Sequence, residues 1–100
     1  MTKKEKRLRR MRQNPKNVRY EDLISVLLDY DFEVREGKGS HVFVQCQISD
    51  KVWFETITRP HGNKKTVNQQ GVKNLLKMLD EIINVLAEIE AEEDIEDNGN

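Results

Sequence analysis

Histidine occurs only twice in this sequence, at His41 and His61. It is the side chain whose charge changes near neutral pH, so two imidazoles brought together can act as general base and general acid. In RNA cleavage without a metal, one would take the proton of the ribose 2′-hydroxyl and the other would protonate the leaving 5′-oxygen. Cations accompany both histidines: Lys38 ahead of His41, and Arg59, Lys64 and Lys65 around His61. Such groups hold a phosphate through charge-assisted hydrogen bonds. Gly37 and Gly39 would let a phosphate approach the backbone. The competing reading is plain: a histidine beside a turn is more often structural or simply exposed.

Other chemistries fit less well. Gly37-Lys38-Gly39-Ser40 lacks the Gly-Lys-Ser/Thr order of a phosphate loop. Two histidines with no well-placed carboxylate or thiol make a poor zinc site, so neither metal nor cofactor is expected. Cys46 is the single cysteine, placed mid-strand with no evident base, and reads as a structural thiol. Ser40 and His41 are adjacent, and neighbours on a strand point to opposite faces, which disfavours a nucleophile–base pair. Trp53 and Phe54 alternate in the same way. One faces the core; the other could stack on a base, though sheet packing is the competing role.

Periodicity places these residues. Residues 3–13 are rich in helix formers, but only Leu8 and Met11 make an apolar face. Asn14-Pro15-Lys16-Asn17 is a break, which sets residues 1–16 off as a basic helical arm. From Tyr20 the pattern is firmly helical, with Leu23, Ile24, Leu27 and Leu28 on one face and a stop near Tyr30-Asp31. Strands follow at Phe32–Arg35, His41–Ile48 and Val52–Thr58, with turns at Gly37–Ser40 and Ser49–Lys51. A second long helix begins near Asn68, its face formed by Val72, Leu75, Leu76, Leu79, Ile82, Ile83 and Leu86. Antiparallel pairing of the second and third strands would put the start of one beside the end of the other, making His41 and His61 neighbours. The economical α+β packing is α-β-β-β-α: a three-stranded antiparallel sheet with both long helices on one face and the other face open to a partner. The domain is expected to span residues 17–92, with 93–100 a disordered acidic tail. Removing residues 1–13 or 93–100 is expected to leave the melting temperature nearly unchanged.

Composition supports a small single domain. A chain of 100 residues with 36% hydrophobic and 35% charged residues has a thin core on a charged body. It has no apolar run long enough for a membrane span and no secretory signal, so a cytoplasmic protein is expected. The net charge of −1 conceals segregation: residues 1–20 hold nine Lys/Arg against one acid, and residues 80–97 hold nine acids and no base. Arg7, Arg9, Arg10 and Arg12 lie in the basic stretch and form an electrostatic footprint for phosphates. The alternatives are a solvated face, or pairing between the basic and acidic ends.

Gly39-Ser40-His41-Val42-Phe43 resembles the glycine-serine-histidine signature of the HicA family of bacterial toxins. The likeness continues on both sides, in Asn14-Pro15-Lys16-Asn17-Val18-Arg19-Tyr20-Glu21-Asp22-Leu23, in Pro60-His61-Gly62-Asn63-Lys64 and in Val72-Lys73-Asn74-Leu75-Leu76-Lys77. It covers about residues 14–80, and the joint order of these short motifs is more specific than any one of them. Asp31-Phe32-Glu33 stands where the family usually has Gly-Phe-Glu. The resemblance implies a double-stranded-RNA-binding-domain-like fold, cleavage of mRNA, and masking by a HicB-type antitoxin. It assigns the catalytic histidine to His41, presented by the turn residues Gly39 and Ser40, and makes His61 a second candidate. Two rival functions stand beside this one: an RNA-binding module without catalysis, and a piece that docks a protein partner through its last helix.

Overall fold

The computed structural model describes residues 1–98, with side chains described through Glu93. Helix α1 (Lys3–Gln13) leads through a 3-10 turn at Pro15–Asn17 into α2 (Tyr20–Asp29). Strands β1 (Glu33–Glu36), β2 (His41–Ile48) and β3 (Lys51–Thr58) follow, and α3 (Gln69–Asn98) closes the chain. The strands form one antiparallel sheet in the order β1-β2-β3. The fold is thus a small α+β domain containing the α-β-β-β-α order.

Alternation decides which face each strand residue takes. In β2, Val42, Val44 and Cys46 are buried, whereas His41, Phe43, Gln45 and Gln47 are exposed. The buried set packs with Leu23, Val26 and Leu27 of α2 and with Val72, Leu75, Leu79 and Ile82 of α3. All the helices therefore lie on one side of the sheet and the opposite side is left open. Leu28, grouped by periodicity with the buried face of α2, is 57% exposed, and Val26 takes its place.

The end of α2 is built by backbone geometry. The Phe32 N–H donates to the Leu27 carbonyl at 3.0 Å, and the Asp31 N–H donates to the Leu28 carbonyl at 3.2 Å. These two bonds define a Schellman cap, which requires a left-handed residue between helix and strand. Asp31 supplies it with φ +63°. This is the position at which the HicA resemblance leads one to expect glycine. Aspartate tolerates the conformation better than most residues but not as well as glycine. Asp31→Gly is therefore expected to add about 0.5 kcal/mol of stability, read as a higher urea midpoint; a lower midpoint would mean that the carboxylate matters more than the strain.

The first helix is not an arm. Leu8 is 5% exposed and Met11 3% exposed, and both belong to the main core. Lys4 lies 4.2 Å above the centre of the Tyr30 ring, and Arg7 pairs with Asp29 at 3.0 Å. Residues 1–16 thus belong to the domain that the sequence pattern began at residue 17. Two apolar side chains proved enough because α2 and α3 present a surface for them to cover. At the other end, α3 runs on to Asn98, so residues 93–98, expected to be disordered, have helical backbone. The run rich in Ala and Glu at residues 87–93 propagates a helix well into this stretch. Gly99 and Asn100 lie outside the described residues. No helix among the described residues is long and apolar enough to cross a membrane.

One connection is not evident in the pattern. Arg19 and Thr66 form an isolated antiparallel bridge, in which the Tyr20 N–H donates to the Lys65 carbonyl and the Val67 N–H to the Val18 carbonyl. The lead-in to α2 is thereby tied to the lead-in to α3, where the Asn68 side chain accepts from the Gln70 N–H and caps the helix.

Candidate functional site

His41 is the first residue of β2 and is exposed on the open face of the sheet. Gly39, with φ +69°, turns the chain before it. The turn is closed by backbone bonds on both sides: the Gly37 N–H donates to the His41 carbonyl at 2.8 Å, and the Arg59 N–H donates to the Ser40 carbonyl at 2.7 Å. Position 41 is therefore held rigidly between β1 and the exit of β3, with Thr58 directly opposite in the register.

The same face carries two aromatic rings. Phe43 and Phe54 stack with ring centres 6.3 Å apart and planes 22° from parallel. Phe54 is 55% exposed, a large apolar area for a sheet surface turned to solvent. Trp53, its neighbour, points to the helices and donates from Nε1 to Glu81 at 3.0 Å. So Phe54 is the ring of that pair left free to stack on a base. Gly37 lies under Phe43: a Cβ there would come within 2.8 Å of the ring. Arg35 sits opposite Phe43, and Gln45 opposite Phe54, on the same face. A flat pair of rings flanked by an amide, a guanidinium and hydroxyls (Thr56, Thr58) can stack on bases and bond to their edges. Phe43, Arg35 and Gln45 were not singled out from the sequence. Their i, i+2 spacing from His41 along β2, and the β1 register, were the available signal.

His61 lines a groove between β3 and α3 together with Thr58, Arg59, Lys64, Val67 and Asn74, and Thr58 is the residue opposite His41 in the register. The hairpin does place the start of β2 beside the end of β3, as expected. The loop after β3 then turns towards the helices, because Val67 is drawn into the core and the Arg19–Thr66 bridge pulls the loop with it.

The expected phosphate ligands divide into three groups. Lys38 and Ser40 stay with His41 in the turn. Arg59, Lys64 and Lys65 gather at a cleft with Arg19 and Tyr20. Of the α1 arginines, Arg7 is paired with Asp29 and Arg12 with Asp80, whereas Arg9 and Arg10 are exposed with no ion pair among the described residues. The Arg12–Asp80 pair joins the basic end of the chain to the acidic one.

Two titrations are displaced by the surroundings. Burial pushes the Cys46 thiol up, with a smaller contribution in the same direction from the Asp31 carboxylate. A raised thiol is a poor nucleophile, and its Sγ lies 3.7 Å from the Tyr30 carbonyl, so the structural role expected of Cys46 fits its position. Burial likewise pushes the Tyr30 phenol up, against the lowering effect of Arg12. Among the described residues no group of three or more His, Cys, Asp or Glu side chains is arranged to hold a metal ion. No family model, curated protein or solved structure was found to match the chain.

Proposed function

We propose that this chain is a HicA-like endoribonuclease: a metal-independent enzyme of double-stranded-RNA-binding-domain-like fold that cleaves mRNA, with His41 as its general acid or base. The observation that carries the reading is the position of His41, exposed at the end of an open sheet face that also bears the stacked pair Phe43 and Phe54. A single-stranded RNA laid across that face would stack bases on the rings and bring a backbone phosphate to the imidazole. In-line cleavage then needs a proton taken from the 2′-hydroxyl and one given to the 5′-oxygen. His41 performs one transfer, and His61, in the groove that reaches the Thr58 opposite His41, or a water performs the other. A HicB-type antitoxin would inhibit by covering the open face, and a cytoplasmic location follows from an mRNA substrate.

The exposed Phe43–Phe54 pair, which serves binding without requiring chemistry, also fits a second reading, a module of the same fold that binds RNA without cutting it. Purified protein incubated with end-labelled mRNA, with and without EDTA, separates the two. Discrete fragments in both lanes support the nuclease; bound but intact RNA supports the module.

The stacking role has its own test. Phe54→Ala is expected to weaken binding of a single-stranded RNA by about 1–3 kcal/mol, roughly 5- to 150-fold, in a fluorescence anisotropy titration. The melting temperature should hardly move, because the ring is more than half exposed. Unchanged affinity would assign the open face to a protein partner instead.

A further inference from the structure

We infer that the cleft between the start of α2 and the loop after β3 is a phosphate subsite, which grips the RNA backbone beyond the phosphate that His41 faces. The inference rests on the RNA-handling reading proposed above and adds a second anchoring point to it. The cleft is lined by Arg19, Tyr20, Glu21, Arg59, Lys64 and Lys65, four cations and one acid, and a second acid, Glu36, pairs with Arg59. They come from two distant stretches of sequence, brought together by the Arg19–Thr66 bridge. Arg59 is the fixed member. Its guanidinium is held by Glu36 at 3.2 Å and lies 5.9 Å from the centre of the Tyr20 ring.

Two polar atoms in this corner are buried with no partner among the described residues: Nε of Arg59 and the hydroxyl of Tyr20. A buried donor left unpaired costs free energy, so each calls for an acceptor. A backbone phosphodiester has two non-bridging acceptor oxygens and one negative charge, which the net positive lining would neutralise. The guanidinium fork suits it better than a point charge would. An apolar side chain would satisfy neither donor.

The cleft is also continuous with the proposed active face. The Arg59 N–H donates to the Ser40 carbonyl, directly before His41, so the backbone that carries the cleft's arginine touches the backbone that carries the imidazole. An RNA strand leaving the open face over this end of the sheet would pass from His41 to Arg59. The cleft would thus act on register, fixing which linkage lies at the imidazole, and not on base identity.

The test uses the full chain and a 2′-O-methyl RNA, which cannot be cleaved, in anisotropy titrations over a range of salt. Lys64→Ala/Lys65→Ala should lower affinity about tenfold at low salt, as expected for lost charge-assisted contacts. It should also reduce the slope of log K against log salt by about 0.7, the value for one phosphate of a single strand. Arg59→Lys should weaken binding although the charge is kept. Replacing one phosphate at a time by a neutral methylphosphonate should find a linkage whose loss costs the wild type but not the double variant. If the wild type binds RNA and these variants keep its affinity and salt slope, the cleft is not a subsite, and the nuclease reading is untouched. If the wild type binds no RNA, titration with inorganic phosphate decides: NMR shifts at the Arg59 Nε–H and the Tyr20 ring would uphold a phosphate site without RNA, and their absence would overturn both.

Discussion

A His41→Ala variant is expected to lose RNA cleavage by about 10²- to 10⁴-fold, the usual contribution of one general acid or base, while its fold and RNA affinity stay close to wild type. The first half follows from chemistry. Without the imidazole, the 2′-hydroxyl or the leaving oxygen must exchange its proton with water alone. The second half follows from position: His41 is exposed at the first residue of β2, and the turn before it is closed by backbone bonds that an alanine preserves. Single-turnover cleavage of a labelled RNA with protein in excess measures the chemical step apart from product release. His61→Ala in the same assay should cost less, since Lys64, which lines the same groove, or water can replace it as the proton donor. Wild-type cleavage should persist in EDTA. Undiminished cleavage by His41→Ala would refute the assignment, and equal losses in both variants would make His61 the second proton-transfer group.

Truncating either buried side chain of α1 should have the next largest effect. Leu8→Ala and Met11→Ala are each expected to lower stability by about 2–3 kcal/mol, from lost transfer free energy plus a residual cavity. Against the 5–15 kcal/mol typical of whole domains, roughly, losing both would leave a marginal protein. Deleting residues 1–13 should do at least as much, because it also bares the parts of α2 and α3 now covered. Urea unfolding followed by circular dichroism gives the answer directly. A midpoint unchanged by the deletion would restore the view of these residues as a detachable basic arm. Substituting Arg9 and Arg10, exposed and without ion pairs among the described residues, should leave the midpoint in place.

Element identity was legible because each element carries its own periodicity. Leu23 and Leu27 mark α2; Val42, Val44 and Cys46 alternate with His41, Phe43 and Gln45 to mark β2; Leu75, Leu79 and Ile82 mark α3. Such signals are local, and they stated strand order, hairpin and open face correctly. The position of His41 was legible for the same reason: a turn rich in glycine followed by strict alternation leaves little choice of face. Trp53 and Phe54 show where local information ends. Alternation says that they point in opposite directions, but only the position of α3, with Glu81 accepting from Trp53, decides which is inside.

Three things were decided by tertiary structure alone. The burial of Leu8 and Met11 could not be read from α1, because two apolar residues on one helix acquire value only from the surface opposite. The course of the loop that carries His61 is set by an isolated bridge between Arg19 and Thr66, and a two-residue bridge has no sequence period. The grouping of Arg19 and Tyr20 with Arg59, Lys64 and Lys65 has the same cause. The sequence by itself determined the elements, their order and the residues able to handle a phosphate, since these depend on neighbours along the chain. Which of those residues share a site depended on contacts between segments some forty residues apart, and those exist only once the core has formed.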